Sequence, residues 1–101
     1  GDHIVASRAL FGGCRYVVED FMPRWGVPST LVDGRDPASF AAAMRPETRI
    51  LLAETIANPA ITVADIPALA DIAHASDAVL AIDNTFATPF LQRPVELGAD
   101  P

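Results

Sequence analysis

Val79-Leu80-Ala81-Ile82-Asp83-Asn84-Thr85 decides how the fold is read. Four apolar residues in succession, with no polar alternation, describe a strand buried on both faces. Asp83 closes it. Three other segments follow the same pattern: His3-Ile4-Val5-Ala6-Ser7, Thr30-Leu31-Val32, and Arg49-Ile50-Leu51-Leu52-Ala53, the last ended by Glu54. Short strands that are apolar throughout and separated by helices form a parallel sheet covered on both sides, so the fold class is α/β with a parallel-sheet core.

The intervening segments carry helix signals. Gly12-Gly13 open a helix of roughly Cys14 to Trp25, with Tyr16, Val17, Phe21 and Trp25 near helical spacing. Pro23 is expected to end or kink it, and Gly26 to stop it. Asp36-Pro37 sets an N-cap and a first helical residue, and that helix runs to about Met44, before Pro46. Asp65 caps a helix of about Ile66 to Ala75, with Ile66, Leu69, Ala70 and Ala73 on one face. Pro89 to Leu97 reads as a broken helical turn. No internal repeat or low-complexity stretch is present.

The 101 residues suffice for one small domain, and half of them are hydrophobic, which supports a packed core. The net charge is -6, and the seven basic residues are all Arg and scattered. That excludes the clustered cationic surface of a nucleic-acid binder. The chain contains no Lys. Its single cysteine, Cys14, cannot form an internal disulfide, which suits a reducing compartment and a cytoplasmic location. No apolar run approaches the ~20 residues of a membrane span, and no secretory signal is visible. Gly1 at one end, and Gly98-Ala99-Asp100-Pro101 leading toward a further strand at the other, make both ends read as cuts through a larger fold.

In parallel α/β sheets ligands bind outside the carboxyl ends of the strands. Phe11 and Gly12-Gly13 follow the first strand, Glu54 and Asn58 the third, and Asp83-Asn84-Thr85 the fourth. Asp83, straight after four apolar residues, is partly desolvated, which raises its pKa unless a partner favours the charge. A protonated ring nitrogen is one such partner. A turn or capping role stands level with this reading. Asn58-Pro59 is a common turn device, and Glu54 at a strand end is more often a structural hydrogen-bond partner. Phe11, taken alone, reads as a core aromatic ahead of a platform for a flat ligand. Gly12-Gly13 lacks both the G-x-G-x-x-G pattern and a Walker Lys. His3 and His74 have no partners at metal-ligand spacing. Nothing near Cys14 marks it as a nucleophile, so a packed thiol is favoured.

Taken in order, Ala9-Leu10-Phe11-Gly12-Gly13, Glu54-Thr55-Ile56-Ala57-Asn58-Pro59, Asp83-Asn84-Thr85-Phe86-Ala87-Thr88-Pro89 and Arg93-Pro94-Val95-Glu96-Leu97-Gly98-Ala99-Asp100 resemble the trans-sulfuration family of pyridoxal-phosphate enzymes. That family includes cystathionine γ-synthase, cystathionine and methionine γ-lyases and the homoserine-ester sulfhydrylases. Ser7-Arg8-Ala9-Leu10-Phe11-Gly12 followed by Cys14-Arg15-Tyr16 is most similar to the O-succinylhomoserine sulfhydrylase branch.

The resemblance implies that residues 1–101 are part of the large, cofactor-binding domain of a fold-type I (aspartate aminotransferase-like) enzyme, truncated at both ends. It implies pyridoxal phosphate as cofactor, Asp83 against the pyridine nitrogen, and Phe11 stacked on the ring where most members carry Tyr. It also implies Asn58 on the phenolic oxygen and Thr85 beside the ring. The family's Schiff-base Lys follows the Gly-Ala-Asp turn, its phosphate-binding loop precedes Gly1, and its substrate-carboxylate Arg lies far downstream. The implied reaction of the whole protein is γ-replacement on O-succinylhomoserine by a sulfur nucleophile. Cystathionine γ-synthase or γ-lyase chemistry, or a non-catalytic degenerate α/β module, stand as alternatives. The implied assembly is a homo-oligomer, a tetramer built from dimers, acting on a small amino-acid substrate with no nucleic-acid or membrane partner.

Overall fold

The computed structural model describes residues 1–101. Four parallel strands, β1 (His3–Ser7), β2 (Ser29–Val32), β3 (Thr48–Glu54) and β4 (Val79–Asp83), form one sheet in the order β2-β1-β3-β4. The chain steps from β1 outward to β2, then crosses back over β1 to place β3 and β4 on its other side. The strand order therefore reverses between β1 and β3, and such a switch point opens a crevice at the carboxyl edge.

Side chains on successive strand residues alternate between faces. Val5, Leu51, Ala53 and Leu80 enter the larger core, with Phe40, Ile66, Leu69, Ala70 and Ala73 from α2 (Pro37–Ala43) and α3 (Ile66–Ala75). Ile4 and Ala6 enter the smaller core on the opposite face with Leu10 and Val18, and Cys14, Met22, Ile50 and Leu52 pack against it. Both faces are thus covered, unequally.

The helix capping expected from sequence is present. Asp36 accepts from Ala38 N–H at 3.0 Å and Asp65 from Ala68 N–H at 3.1 Å, each with Pro in the first turn. The segment after Gly12 changes pitch rather than breaking at Pro23. It runs as α1 (Gly12–Tyr16), a π-helical turn (Val17–Phe21) and a 3₁₀ turn (Met22–Trp25). Pro23 falls in the first turn of that 3₁₀ segment, where a missing N–H costs little. Gly26, at φ 78°, then stops it in a conformation disfavoured for side-chain-bearing residues. The stretch after β4 divides into α4 (Thr88–Leu91) and a 3₁₀ turn (Pro94–Leu97).

His3 and His74 serve structure. The buried His3 ring lies between two hydroxyls, Nδ1 2.8 Å from Thr48 Oγ1 and Nε2 3.0 Å from Thr30 Oγ1, joining β1 to both neighbouring strands. His74, in the last turn of α3, sits 3.0 Å from Asp100, whose carboxyl also accepts from Leu80 N–H at 2.8 Å. No helix is long and apolar enough to cross a membrane.

Candidate functional site: a cavity at the carboxyl edge of the sheet

A cavity of about 330 Å³ opens outside the ends of β1, β3 and β4, within the size range of small-molecule sites. It is lined by Phe11, Glu54, Ile56, Asn58, Asp83, Thr85 and Phe86. All four residues singled out from the sequence, Phe11, Asn58, Asp83 and Thr85, line it together. Ile56 and Phe86 were not anticipated. Phe86 adjoins Thr85 and Ile56 lies two residues from both Glu54 and Asn58, and neither an isolated Ile nor an isolated Phe announces a ligand wall.

The last rung of the sheet sets the geometry. Glu54 and Asp83 are register partners at the ends of β3 and β4. The period of two along each strand turns both toward the face covered by α1, the face that Leu52 shares with Cys14. Asp83 Oδ1 accepts from Thr85 N–H at 2.9 Å, and Oδ2 accepts from the Cys14 thiol at 3.6 Å. Hydrogen bonding from Thr85, by its side chain and its backbone amide, holds the Asp83 carboxyl below the usual carboxylate range. Burial pushes the other way and loses. The upward shift expected from desolvation alone is therefore reversed, because the turn after β4 supplies donors. Cys14 shows the converse: burial first, then the neighbouring Asp83, raise its thiol above the ordinary value. A thiol held protonated is a donor rather than a nucleophile, as the sequence suggested.

Glu54 and Thr55 tie the three loops together. The buried Glu54 carboxyl accepts from Phe11 N–H at 2.5 Å and from Asn58 N–H at 2.9 Å. Thr55 donates its backbone N–H to the Asp83 carbonyl at 3.1 Å and its hydroxyl to Asn84 Oδ1 at 2.7 Å. Asn84 in turn donates to the Gln92 carbonyl at 2.8 Å, fixing the segment that follows the site. Phe11 presents its ring to the cavity with 57 % of the residue exposed. It is therefore not the core aromatic that the residue taken alone suggests. Asn58 leads into a cis peptide bond with Pro59.

This donor set suits a flat heteroaromatic ring. It offers an aromatic face, a side-chain amide at the rim, and an anionic carboxyl whose low pKa favours a proton residing on a facing ring nitrogen. No cation lines the cavity. The lining residues thus fit the ring of pyridoxal phosphate and not its phosphate, which needs donors from elsewhere.

A parallel α/β domain with a cavity at its switch point belongs to the class whose ligands lie outside the carboxyl ends of the strands. The chain matches the family described as Cys/Met metabolism PLP-dependent enzyme over residues 1–100, and it belongs to that family. Pyridoxal phosphate is accordingly the family's cofactor. The chain is 46 % identical over 101 residues to an L-methionine gamma-lyase of Porphyromonas gingivalis, covering 99 % of this chain and 25 % of that protein. It is 43 % identical over 100 residues to an O-succinylhomoserine sulfhydrylase of Mycobacterium tuberculosis, with the same coverage. Among solved structures it superimposes on cystathionine gamma-lyase from Lactobacillus plantarum, complexed with L-serine, with a TM-score of 0.95 and 40 % identity, over 99 % of this chain and 26 % of that one. The chain spans about a quarter of the length of the relatives it matches.

Proposed function

We propose that this chain forms the ring-binding wall of a pyridoxal-phosphate site in an enzyme that carries out γ-replacement on O-succinylhomoserine with a sulfur nucleophile. The cofactor, when bound, supplies an electron sink for the pair left at the substrate's α carbon. Asp83 holds a proton on the ring nitrogen; its anionic state, maintained by Thr85 and Cys14, makes it the stationary half of an ion pair. Phe11 would cover one ring face, Asn58 would donate to the phenolic oxygen, and Thr85 would border the ring while fixing Asp83.

The observation that carries the choice of branch is Phe11. It provides a stacking surface with no hydroxyl, so it takes no part in proton transfer. A carboxylate ester departs more readily than a thiolate bound to carbon, so expulsion of succinate depends less on an acid at the cofactor face than cleavage of cystathionine does. Each tenfold rate difference corresponds to ~1.4 kcal/mol of barrier, so a moderate preference is enough to define the branch. The 46 % identity to a methionine γ-lyase supports γ-elimination as the second reading.

The test is to compare kcat/KM of the full-length protein for O-succinylhomoserine with sulfide, O-acetylhomoserine with sulfide, cystathionine and methionine. The proposal expects O-succinylhomoserine to be fastest. If cystathionine or methionine cleavage leads, the branch is wrong and the family membership stands.

A further inference from the structure

We infer that Glu54 is a positioning residue for the cofactor ring, acting through the backbones of Phe11 and Asn58. The inference rests on the reading of the cavity given under Proposed function and adds a residue to it. Glu54 is 5 % exposed and pairs with none of the seven arginines. Its two oxygens instead accept from two backbone N–H groups, at 2.5 Å and 2.9 Å, which uses the side chain purely as a double acceptor. The two donors come from different loops, one 43 residues and one 4 residues away in sequence. They belong to two cavity residues whose side chains make no hydrogen bond to the protein. The Phe11 ring is more than half exposed, and the half-buried Asn58 side chain bonds to no protein group. Where packing does not fix a side chain, its backbone must, and here one buried carboxyl fixes both. It thereby sets the separation between the ring platform and the rim amide.

Gln cannot reproduce this. Its single amide oxygen satisfies one N–H, and its NH₂ then faces the other N–H donor to donor. Asp keeps the charge but is one methylene shorter and cannot span both amides. Full-length protein stripped of cofactor is titrated with pyridoxal phosphate for four forms: wild type, Glu54→Gln, Phe11→Ala/Asn58→Ala, and the triple variant. If Glu54→Gln does not fold, Glu54→Asp takes its place in the same cycle. Expected is a dissociation constant at least tenfold higher for Glu54→Gln than for wild type. Less than a twofold further change is expected when Glu54→Gln is added to Phe11→Ala/Asn58→Ala, because the groups it positions are gone. Saturated Glu54→Gln should also show a weaker circular-dichroism band from the bound cofactor, since the ring is held less uniquely. Equal penalties in both backgrounds, or an affinity within twofold of wild type, overturns the inference while leaving the cavity assignment intact. A wild-type protein that does not bind pyridoxal phosphate overturns the cavity assignment, and the inference with it.

Discussion

Replacing Asp83 by Asn in the full-length protein separates the electrostatic role of this residue from its structural one. The shape is preserved, and an amide oxygen remains to accept from Thr85 N–H, the shorter of the two bonds to the carboxyl at 2.9 Å. The long thiol contact at 3.6 Å contributes little. The cost to the fold is therefore confined to the charge-assisted part of the hydrogen bonding from Thr85, on the order of 1 kcal/mol. The cofactor loses far more. A hydrogen bond to a charged partner is worth about 1.5–3 kcal/mol net, which corresponds to a roughly ten- to hundredfold weaker dissociation constant for pyridoxal phosphate. Turnover should fall further, because an unprotonated ring nitrogen withdraws electrons poorly. The assay pairs a cofactor titration with a thermal melt of the cofactor-free protein. An affinity within twofold of wild type would refute the ion-pair reasoning. A large loss of melting temperature without cofactor would show instead that Asp83 is mainly a turn residue.

Three further outcomes follow from the structure. His3 is buried with a pKa lowered first by burial and then by Arg45. The unfolded chain therefore takes up the proton first, and stability should decline as pH falls below about 6.5, the ordinary imidazole value; denaturant midpoints between pH 8 and 5 should show this slope, and His3→Gln should flatten it. The isolated 101-residue chain, mixed with pyridoxal phosphate and reduced with borohydride, should carry no pyridoxyl adduct on any internal side chain, because it has no Lys; peptide mass mapping that finds a stoichiometric internal adduct contradicts this. The isolated chain should also self-associate, since β2 and β4 each present a free edge and Trp25, Phe86, Phe90 and Leu91 are exposed; light scattering that finds a monomer, together with a sharp cooperative melt, would indicate an autonomous module.

The sheet was legible because β1, β3 and β4 each carry an uninterrupted apolar run bounded by a polar residue. Val79 to Ile82 and Arg49 to Ala53 match β4 and β3 to within a residue or two. Asp36-Pro37 and Asp65 announced their helices because an Asp cap acts within three residues, well inside the reach of local sequence. Phe11, Asn58, Asp83 and Thr85 could be placed at one edge because a parallel sheet puts all strand carboxyl ends on the same side. Long-range pairings were not legible. Nothing local indicates that Cys14 meets Asp83 across 69 residues, or that Glu54 takes Phe11 N–H across 43. The sign of the Asp83 shift, by contrast, is set locally, by hydrogen bonding from Thr85 two residues further on. The pitch change through Val17–Phe21 was hidden as well, because π and α turns differ by one residue in hydrogen-bond spacing and share nearly the same apolar pattern.

The account turns on whether Asp83 keeps a proton on the cofactor's ring nitrogen. Full-length protein loaded with pyridoxal phosphate labelled with nitrogen-15 in the ring reports this directly by NMR, in wild type and in Asp83→Asn. A wild-type resonance at the position of a protonated pyridine, moving to that of neutral pyridine in the variant, is the predicted result. A neutral-pyridine resonance in wild type, or one unmoved by the substitution, would contradict the account.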